Sequence, residues 1–552
     1  MPRNVAQLRD IYHGLLIVWL VGSATSAGAQ SRIEPIFPAP AVAPGGAPDA
    51  GVSDGASLPP LDPTTLPMPV APESARSKIQ EGEAKSLLSP EVPQGLAKAG
   101  DLNLLGQPIL KIRIVDNTKT DSNTVEYIAA VKRGAQLSAA LVERVRVNLE
   151  ASGLFKQVAI YWEPMNQDEV AGVRLVISAK DKLSWIIAPT FAFSPPNYGG
   201  GLAYAESNLL GRNLKFLVYG TYTTADKMFL VYFLDPHIGT TPLYWRFDAI
   251  VRRDRIYEYA SGNLGHPRLE RATDVDTFGL GVVFGLSIKR RLNVDARLKI
   301  YYDRINRPTC YNTQTPNGFG TPDVNAEQGG ACLRPARSGL ENAIAVQASY
   351  EGRSTVAGIV AGPLVRAEWV YGPRWLGNVT GDYHLLNLRF MWGLRFWKEH
   401  NLLLKSWASV YFNPPFKQEV EAGGAELRGY IFRQFRGDTS FRATVEYIVP
   451  VFTVQGFSLR AIAFFDTNLT WFRSLPQQVP GQPRVDLRGN SFRNFLPDTP
   501  SGIGRESWNN GLGGGIRLYL KGVILPLIGI DLAYGIESRA FQYYITLGST
   551  ID

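Results

Sequence analysis

From Leu183 to the C-terminus, apolar and polar residues alternate one for one in segment after segment of about ten residues, and such a chain reads as a run of β-strands with two unlike faces. In Leu243–Arg252 the odd positions are apolar, while Arg246, Asp248 and Arg252 lie on the other side. Leu292, Val294, Ala296, Leu298 and Ile300 alternate with Asn293, Asp295, Arg297 and Lys299. Leu386–Phe396 does the same, with Asn387, Arg389 and Arg395 opposite. Sixteen such segments can be counted, an even number. If the first rises from one end, the short turns Leu210-Gly211-Arg212 and Ile288-Lys289-Arg290 share that end. The long connections Arg304–Gly339, Asn413–Thr439 and Arg473–Asn510 then share the other, the asymmetry expected of a barrel that spans a membrane.

Alternation alone does not say which face points outward, because a soluble sandwich also alternates and turns its apolar face in. The N-terminus bears on the choice. Arg3 and Arg9 precede an apolar run from Leu15 to Val21 and a small-residue stretch ending Ala27-Gly28-Ala29, so residues 1–29 read as a secretory signal peptide cut before Gln30. That run is far shorter than the roughly 18 apolar residues of a membrane helix, and no later segment reaches that length. An exported chain with sixteen strands and 11% aromatic residues favours lipid outside. The expected fold is mainly β: a 16-strand antiparallel transmembrane barrel over residues 183–552, preceded by one small α+β domain.

Residues 30–108 are rich in Pro and Ala and read as a disordered linker, with one short helix expected at 73–88 from Ile79, Ala84 and Leu87 on a common side. Residues 109–182 have the order strand, helix, helix, strand, strand. Leu110, Ile112 and Ile114 share a face of the first strand against Lys111 and Arg113. Thr124–Val131 and Ala139–Leu149 read as helices, the second with Leu141, Val142, Val145 and Leu149 at helical spacing, and it stops at Gly153. Val158–Trp162 and Val173–Ile177 complete the sheet.

Charge and chemistry narrow the function. Lys plus Arg number 57 against 49 for Asp plus Glu, but the excess is dispersed, which gives nucleic-acid binding little support and suits lipid head groups and an arginine-rich interior. Cys310 and Cys332 are expected to pair as one disulfide closing a surface loop. None of the five histidines has a partner at ligand spacing, so no metal site is expected. Gly51-Val52-Ser53-Asp54-Gly55 fits a nucleophile-elbow pattern but lies in the linker, where nothing holds the serine. No nucleotide loop is present, and neither an enzyme nor a cofactor is expected.

The loop between the eleventh and twelfth strands reads Leu427-Arg428-Gly429-Tyr430, which resembles the [VLI]-R-G-[FY] motif of the BamA/TamA superfamily of outer-membrane assembly and two-partner secretion proteins. Phe464-Phe465-Asp466 resembles that family's F-x-D strand, Val445-Glu446-Tyr447 its Glu-bearing strand, and Gly153-Leu154-Phe155 with Val158 the junction that ends the second helix of a POTRA domain. The resemblance covers about residues 109–552. It implies a POTRA-like periplasmic domain and a loop folded back into the lumen, with Arg428 docked on Asp466 and secondarily Glu446. Strand alternation puts Arg442, Thr444, Glu446, Arg460 and Asp466 on the polar face, and an Arg fork suits bidentate carboxylates. The family has several POTRA units or two where this chain has one, and a terminal aromatic where it ends Ser549-Thr550-Ile551-Asp552.

The function implied is an outer-membrane factor that captures unfolded outer-membrane or secreted polypeptides and inserts them or passes them across, in contact with outer-membrane lipid and periplasmic accessory proteins. Clients would pair with the first-strand edge from Leu183 to Phe193. The rival is a passive porin or receptor barrel that conducts solutes.

Overall fold

The computed structural model describes residues 102–547, apart from 168–169, 240, 260–263, 266, 268, 289–290, 312–333, 357–358, 398, 455–456, 474–476, 480–481, 484–507 and 521–525. The signal peptide, the helix at 73–88, most of the linker and Cys332 lie outside the described residues. Two compact units are present.

The small unit runs β1 (Ile109–Val115), α1 (Ser122–Ala129), α2 (Ala139–Ala151), β2 (Phe155–Gln167) and β3 (Val170–Asp181). Its sheet has β3 in the centre, parallel to β1 and antiparallel to β2. Asp121 caps α1 by accepting from the Asn123 amide, and Ser138 caps α2 through Leu141. The helices bury Val125, Ile128, Val142, Val145 and Leu149 on Ile160, Trp162, Leu175 and Ile177. The helix expected at Thr124–Val131 runs from Ser122 to Ala129 and both later strands are longer than expected, and two further differences bear on the core. Leu110 sits where the β1 register shifts, so Ile109 and not Leu110 joins Ile112 in the core. The ordered unit also starts before residue 109: Leu104 packs on the core, and Gly106 donates to the Leu137 carbonyl. Before β3 ends, Asp181 gathers the amides of Thr118, Lys119 and Thr120 and the Thr120 hydroxyl. Burial pushes its pKa up, but the Thr120 hydroxyl and those amides outweigh it and hold the carboxyl below its usual range.

The second unit is a closed antiparallel barrel. Its sixteen long strands are β4 (Trp185–Ser194), β5 (Asn197–Leu209), β6 (Leu214–Thr223), β7 (Asp226–Asp235), β8 (Leu243–Tyr259), β9 (Leu269–Ile288), β10 (Leu292–Ile305), β11 (Ala343–Glu351) and β12 (Ile359–Gly372). They continue as β13 (Tyr383–Phe396), β14 (His400–Phe412), β15 (Thr439–Val454), β16 (Phe457–Trp471), β17 (Trp508–Leu520), β18 (Pro526–Gly535) and β19 (Ala540–Leu547). The segments at 306–342, 413–438 and 472–507 all leave from one end.

The barrel is inside out relative to a soluble sandwich. Phe284 is 61% exposed and Leu388 50%, whereas Asp531 and Asp254 are fully buried in the interior. Side chains of that kind at the perimeter suit a lipid surround, and a closed barrel leaves no unpaired main chain in it. Strands β4–β8 depart from strict alternation. Their inner face carries Ile186, Leu217, Tyr219, Leu230 and Tyr232, packed into one apolar cluster.

β4 pairs with β5 from Trp185 to Ser194, and among the described residues it pairs with β19 through Phe191, Ala192 and Phe193. Phe193 stacks on Tyr543 of β19 at 5.1 Å. Leu183 precedes β4, so of the expected edge Leu183–Phe193 the strand itself begins at Trp185.

Candidate functional site

A segment of 26 residues between β14 and β15, numbered 413–438, folds into the lumen, where most of its side chains are buried. A short antiparallel ladder of Val420–Ala422 with Phe435–Gly437 stiffens its base. The tip carries Leu427, Arg428, Gly429 and Tyr430, each almost wholly buried or without a side chain.

Arg428 meets the wall as a fork. Nε donates to Asp466 Oδ2 at 2.7 Å and Nη2 to Asp466 Oδ1 at 2.8 Å, the two parallel bonds that a planar guanidinium makes best. Nη2 also lies 3.0 Å from Glu446 Oε1, and Nη1 lies 3.1 Å from Asp531 Oδ2. The guanidinium carbon sits 3.4 Å from the centre of the Phe464 ring, so the plane is stacked as well as chelated. Thr444 orients Asp466 by donating to Oδ1 at 2.9 Å. Period two places these groups. Thr444 lies opposite Asp466, and Glu446 opposite Phe464, across the β15–β16 ladder.

Buried charge demands compensation, and here it is matched one for one. Lys405 reaches Glu446 at 3.1 Å, Arg517 is paired to Asp531, and Arg428 answers Asp466. Withdrawing the loop would leave Asp466, Glu446 and Asp531 with only Lys405 and Arg517, an uncompensated carboxylate costing about 3–5 kcal/mol in a buried site.

Space for the tip comes from glycine. The inner face of β17 presents Gly511, Gly513 and Gly515 in succession, and a Cβ on Gly511 would stand 1.8 Å from the Arg428 carbonyl. Gly429 has φ +100°, and an added Cβ would meet the Gly535 amide at 2.5 Å, so that position requires glycine on both conformational and steric grounds. Tyr544 of β19 closes the arrangement: its hydroxyl accepts from the Gly429 amide and donates to the Tyr430 carbonyl, both at 2.9 Å. On the far side of the β19–β4 seam, Phe432 donates to the Pro195 carbonyl in the β4–β5 turn at 2.9 Å. Within a few residues the loop therefore holds both flanks of the seam.

A second anchorage lies about half-way round the barrel, on β7 and β8. Arg433 lies 3.0 Å from Asp226 and 2.9 Å from Glu421, and Arg436 lies 2.7 Å from Glu419 and also meets Glu421. Lys417 and Arg252 both reach Asp254. Arg433 holds a left-handed backbone, φ +56°, which is costly outside glycine and is sustained by this network.

The structure thus brings Arg428, Gly429, Tyr430, Glu446 and Asp466 together and adds Asp531, Phe464, Tyr544 and the glycine track, which sequence reading did not assign to this site. Cys310 is fully buried and no described cysteine is a free thiol, while its expected partner Cys332 lies outside the described residues.

The sequence matches no family model and no curated protein. Its fold does match solved structures. BamA from Haemophilus ducreyi lacking POTRA domains 1–3 superposes with a TM-score of 0.54 at 14% identity, over 87% of this chain and 94% of that one. CdiB from Acinetobacter baumannii gives 0.47 at 11% identity, over 80% of this chain and 74% of that one. CdiB from Escherichia coli gives 0.46 at 11% identity, over 87% of this chain and all of that one. The first likeness shows that the barrel shares the fold of the BamA barrel.

Proposed function

We propose that this chain is an outer-membrane protein that assembles or translocates polypeptides: it captures unfolded clients in the periplasm and inserts them into, or passes them across, the outer membrane. The observation that carries the reading is the lumenal loop, gripped by Arg428 on Asp466 and attached to both flanks of the β19–β4 seam. Barrels that pass solutes can also carry a plug, but this loop is bonded to both flanks of the β19–β4 seam as well as to the wall. A polypeptide handler has a use for such an obstruction, because displacing the loop would free the lumen and loosen the seam together.

In this reading the small unit is a POTRA-like periplasmic domain whose outer strands β1 and β2 offer main-chain edges to extended clients. The first-strand edge from Leu183 to Phe193, at the β19–β4 seam, would be a second template within the membrane. The pairing of Cys310 with Cys332 belongs to the same proposal, as a staple in the 306–342 loop on the outer side.

The test is Arg428→Ala in the full chain, with the barrel shown to be folded by heat-modifiable migration on gels. Client assembly or export should fall while single-channel conductance rises. Unchanged assembly together with altered conductance would favour the passive pore.

A further inference from the structure

The outer wall of β7–β10 carries a feature that client handling does not use. A cavity of about 350 Å³ is sunk into the outward face of these strands. Its upper row is Phe229, Val251, Phe278 and Tyr302, each the ladder partner of the next. One pleat lower the row is Val231, Ala249, Leu280 and Ile300, again in register. Ala249 is the small residue among them, flanked by longer side chains. One pleat above the aromatic row, about 7 Å along the strands, the outward residues become Lys227, Arg253, Asp276 and Arg304, still cross-strand partners in one line.

The charged row is not balanced. Asp276 is taken by Arg253, with Nη2 donating to Oδ2 at 3.0 Å, and in the next row Asp274 is taken by Arg255, also at 3.0 Å. Lys227 and Arg304 remain as exposed cations flanking that pair, and Lys227 stands 4.5 Å over the Tyr222 ring. The same end of the opposite wall presents Trp369, Tyr371, His384, Phe412, Phe441 and Trp508 on its outward face, with Arg473 4.4 Å over the Phe412 ring.

We infer that the β7–β10 wall is a specific site for an acyl lipid of the outer leaflet whose phosphate monoesters give it a net negative charge, which zwitterionic phosphatidylcholine lacks, with one acyl chain in the cavity over Ala249 and a phosphate held by Lys227 and Arg304. The inference rests on the outer-membrane reading, which places the long-loop end outside the cell. Charge complementarity fixes the occupant. An apolar chain alone would fill the cavity but leave the basic row unused, and a soluble phosphate would use the row but not the cavity. The distance between the rows is that between a lipid's head group and the first carbons of its chain.

Native mass spectrometry on the full chain in detergent, titrated with diphosphoryl lipid A, phosphatidylcholine or inorganic phosphate, tests this. Diphosphoryl lipid A should bind more tightly than phosphatidylcholine, and inorganic phosphate should not compete. The double variant K227Q/R304Q, which leaves the Arg253–Asp276 pair intact, should weaken lipid A binding about thirtyfold, at roughly one surface-charge increment per cation, and leave phosphatidylcholine unchanged. Ala249→Phe, an outward apolar exchange, should weaken both lipids by filling the cavity. Equal affinity for the two lipids, or lipid A binding indifferent to both variants, overturns the site. So does a dimer of the chain that Ala249→Phe dissolves, since that would assign the face to a second copy. Fractionation of the protein outside the outer membrane would sink the earlier reading instead, while the detergent titration would still report on lipid selectivity.

Discussion

The two ends of the lumenal loop are held by the same kinds of residue in different ways. At Arg428 one guanidinium is chelated: two directed bonds to Asp466, contacts to Glu446 and Asp531, and a stacked ring beneath. At Arg433 the charges are more numerous and the geometry looser. Its Nε lies 2.9 Å from Glu421 but off the line of a hydrogen bond, so that contact is an ion pair without direction. The first end depends on shape and the second on charge count. The first therefore resembles a latch with one correct position, and the second a bearing that tolerates movement.

Lysine separates the two most sharply. Arg428→Lys keeps the charge and loses the fork, so it should destabilise the loop nearly as much as Arg428→Ala, about 3–5 kcal/mol. Arg433→Lys should cost less than half of that. Hydrogen exchange of the amides at 413–438 in the folded barrel reads both, and equal protection losses in the two lysine variants would break the distinction. Next in size is Glu421→Gln, which removes the carboxylate shared by Arg433 and Arg436 and should cost about 2–3 kcal/mol at that end. Protection at Arg428 and Gly429 should be unaffected. If both ends loosen together, the loop is one rigid body and not two anchorages.

Part of this could be read from the chain and part could not, for physical reasons. The barrel strands were legible because a β-strand between lipid and a polar lumen must alternate, and the parity that puts Phe465 outside necessarily turns Asp466 inward. Once parity is known, Glu446 and Asp466 can only face the lumen. Parity fails where both faces are apolar: Met228–Leu234 of β7 is one apolar run, although Leu230 and Tyr232 point in and Phe229 points out. The glycine track was silent because Gly511, Gly513 and Gly515 have no side chain to alternate, yet Gly511 makes room for the Arg428 main chain, Gly513 for the Phe464 ring and Gly515 for the Asp531 carboxylate. Asp531 was missed because its partnership spans 103 residues and no local pattern encodes it. Arg433 and Arg436 lie in a loop, where no period applies. The bulge at Leu110 shifts a strand by one residue, which periodicity alone registers as continuity.

Smaller effects sharpen the contrast at the latch. Gly511→Ala puts a methyl group against the Arg428 carbonyl, a main-chain atom that cannot rotate away, and should cost about 1–3 kcal/mol. It should reduce protection at the tip without touching Arg433. Tyr544→Phe deletes the hydroxyl shared by Gly429 and Tyr430 and should cost about 1 kcal/mol per lost bond. Because Tyr544 lies on β19, cross-linking between β19 and β4 through introduced cysteines should also report a looser seam. An unchanged seam would mean that the loop and the seam are independent.

The smallest effect is expected at a carboxylate that water can reach, which supplies the control for both buried ends. Asp181 accepts from the Thr118, Lys119 and Thr120 amides and from the Thr120 hydroxyl, and its folded-state pKa lies below its unfolded one. A depressed carboxyl pKa stabilises the fold above the unfolded value, near 4, and that contribution drains away as pH falls through the folded value. Asp181→Asn should therefore make residues 102–182 exchange faster at neutral pH and converge on the parent in acid. Arg428 and its partners belong to the other compact unit, so Asp181→Asn should leave protection at the tip unchanged at either pH. A tip that loosens in Asp181→Asn would show that the small unit and the loop open together, and the distinction between latch and surface contact would collapse.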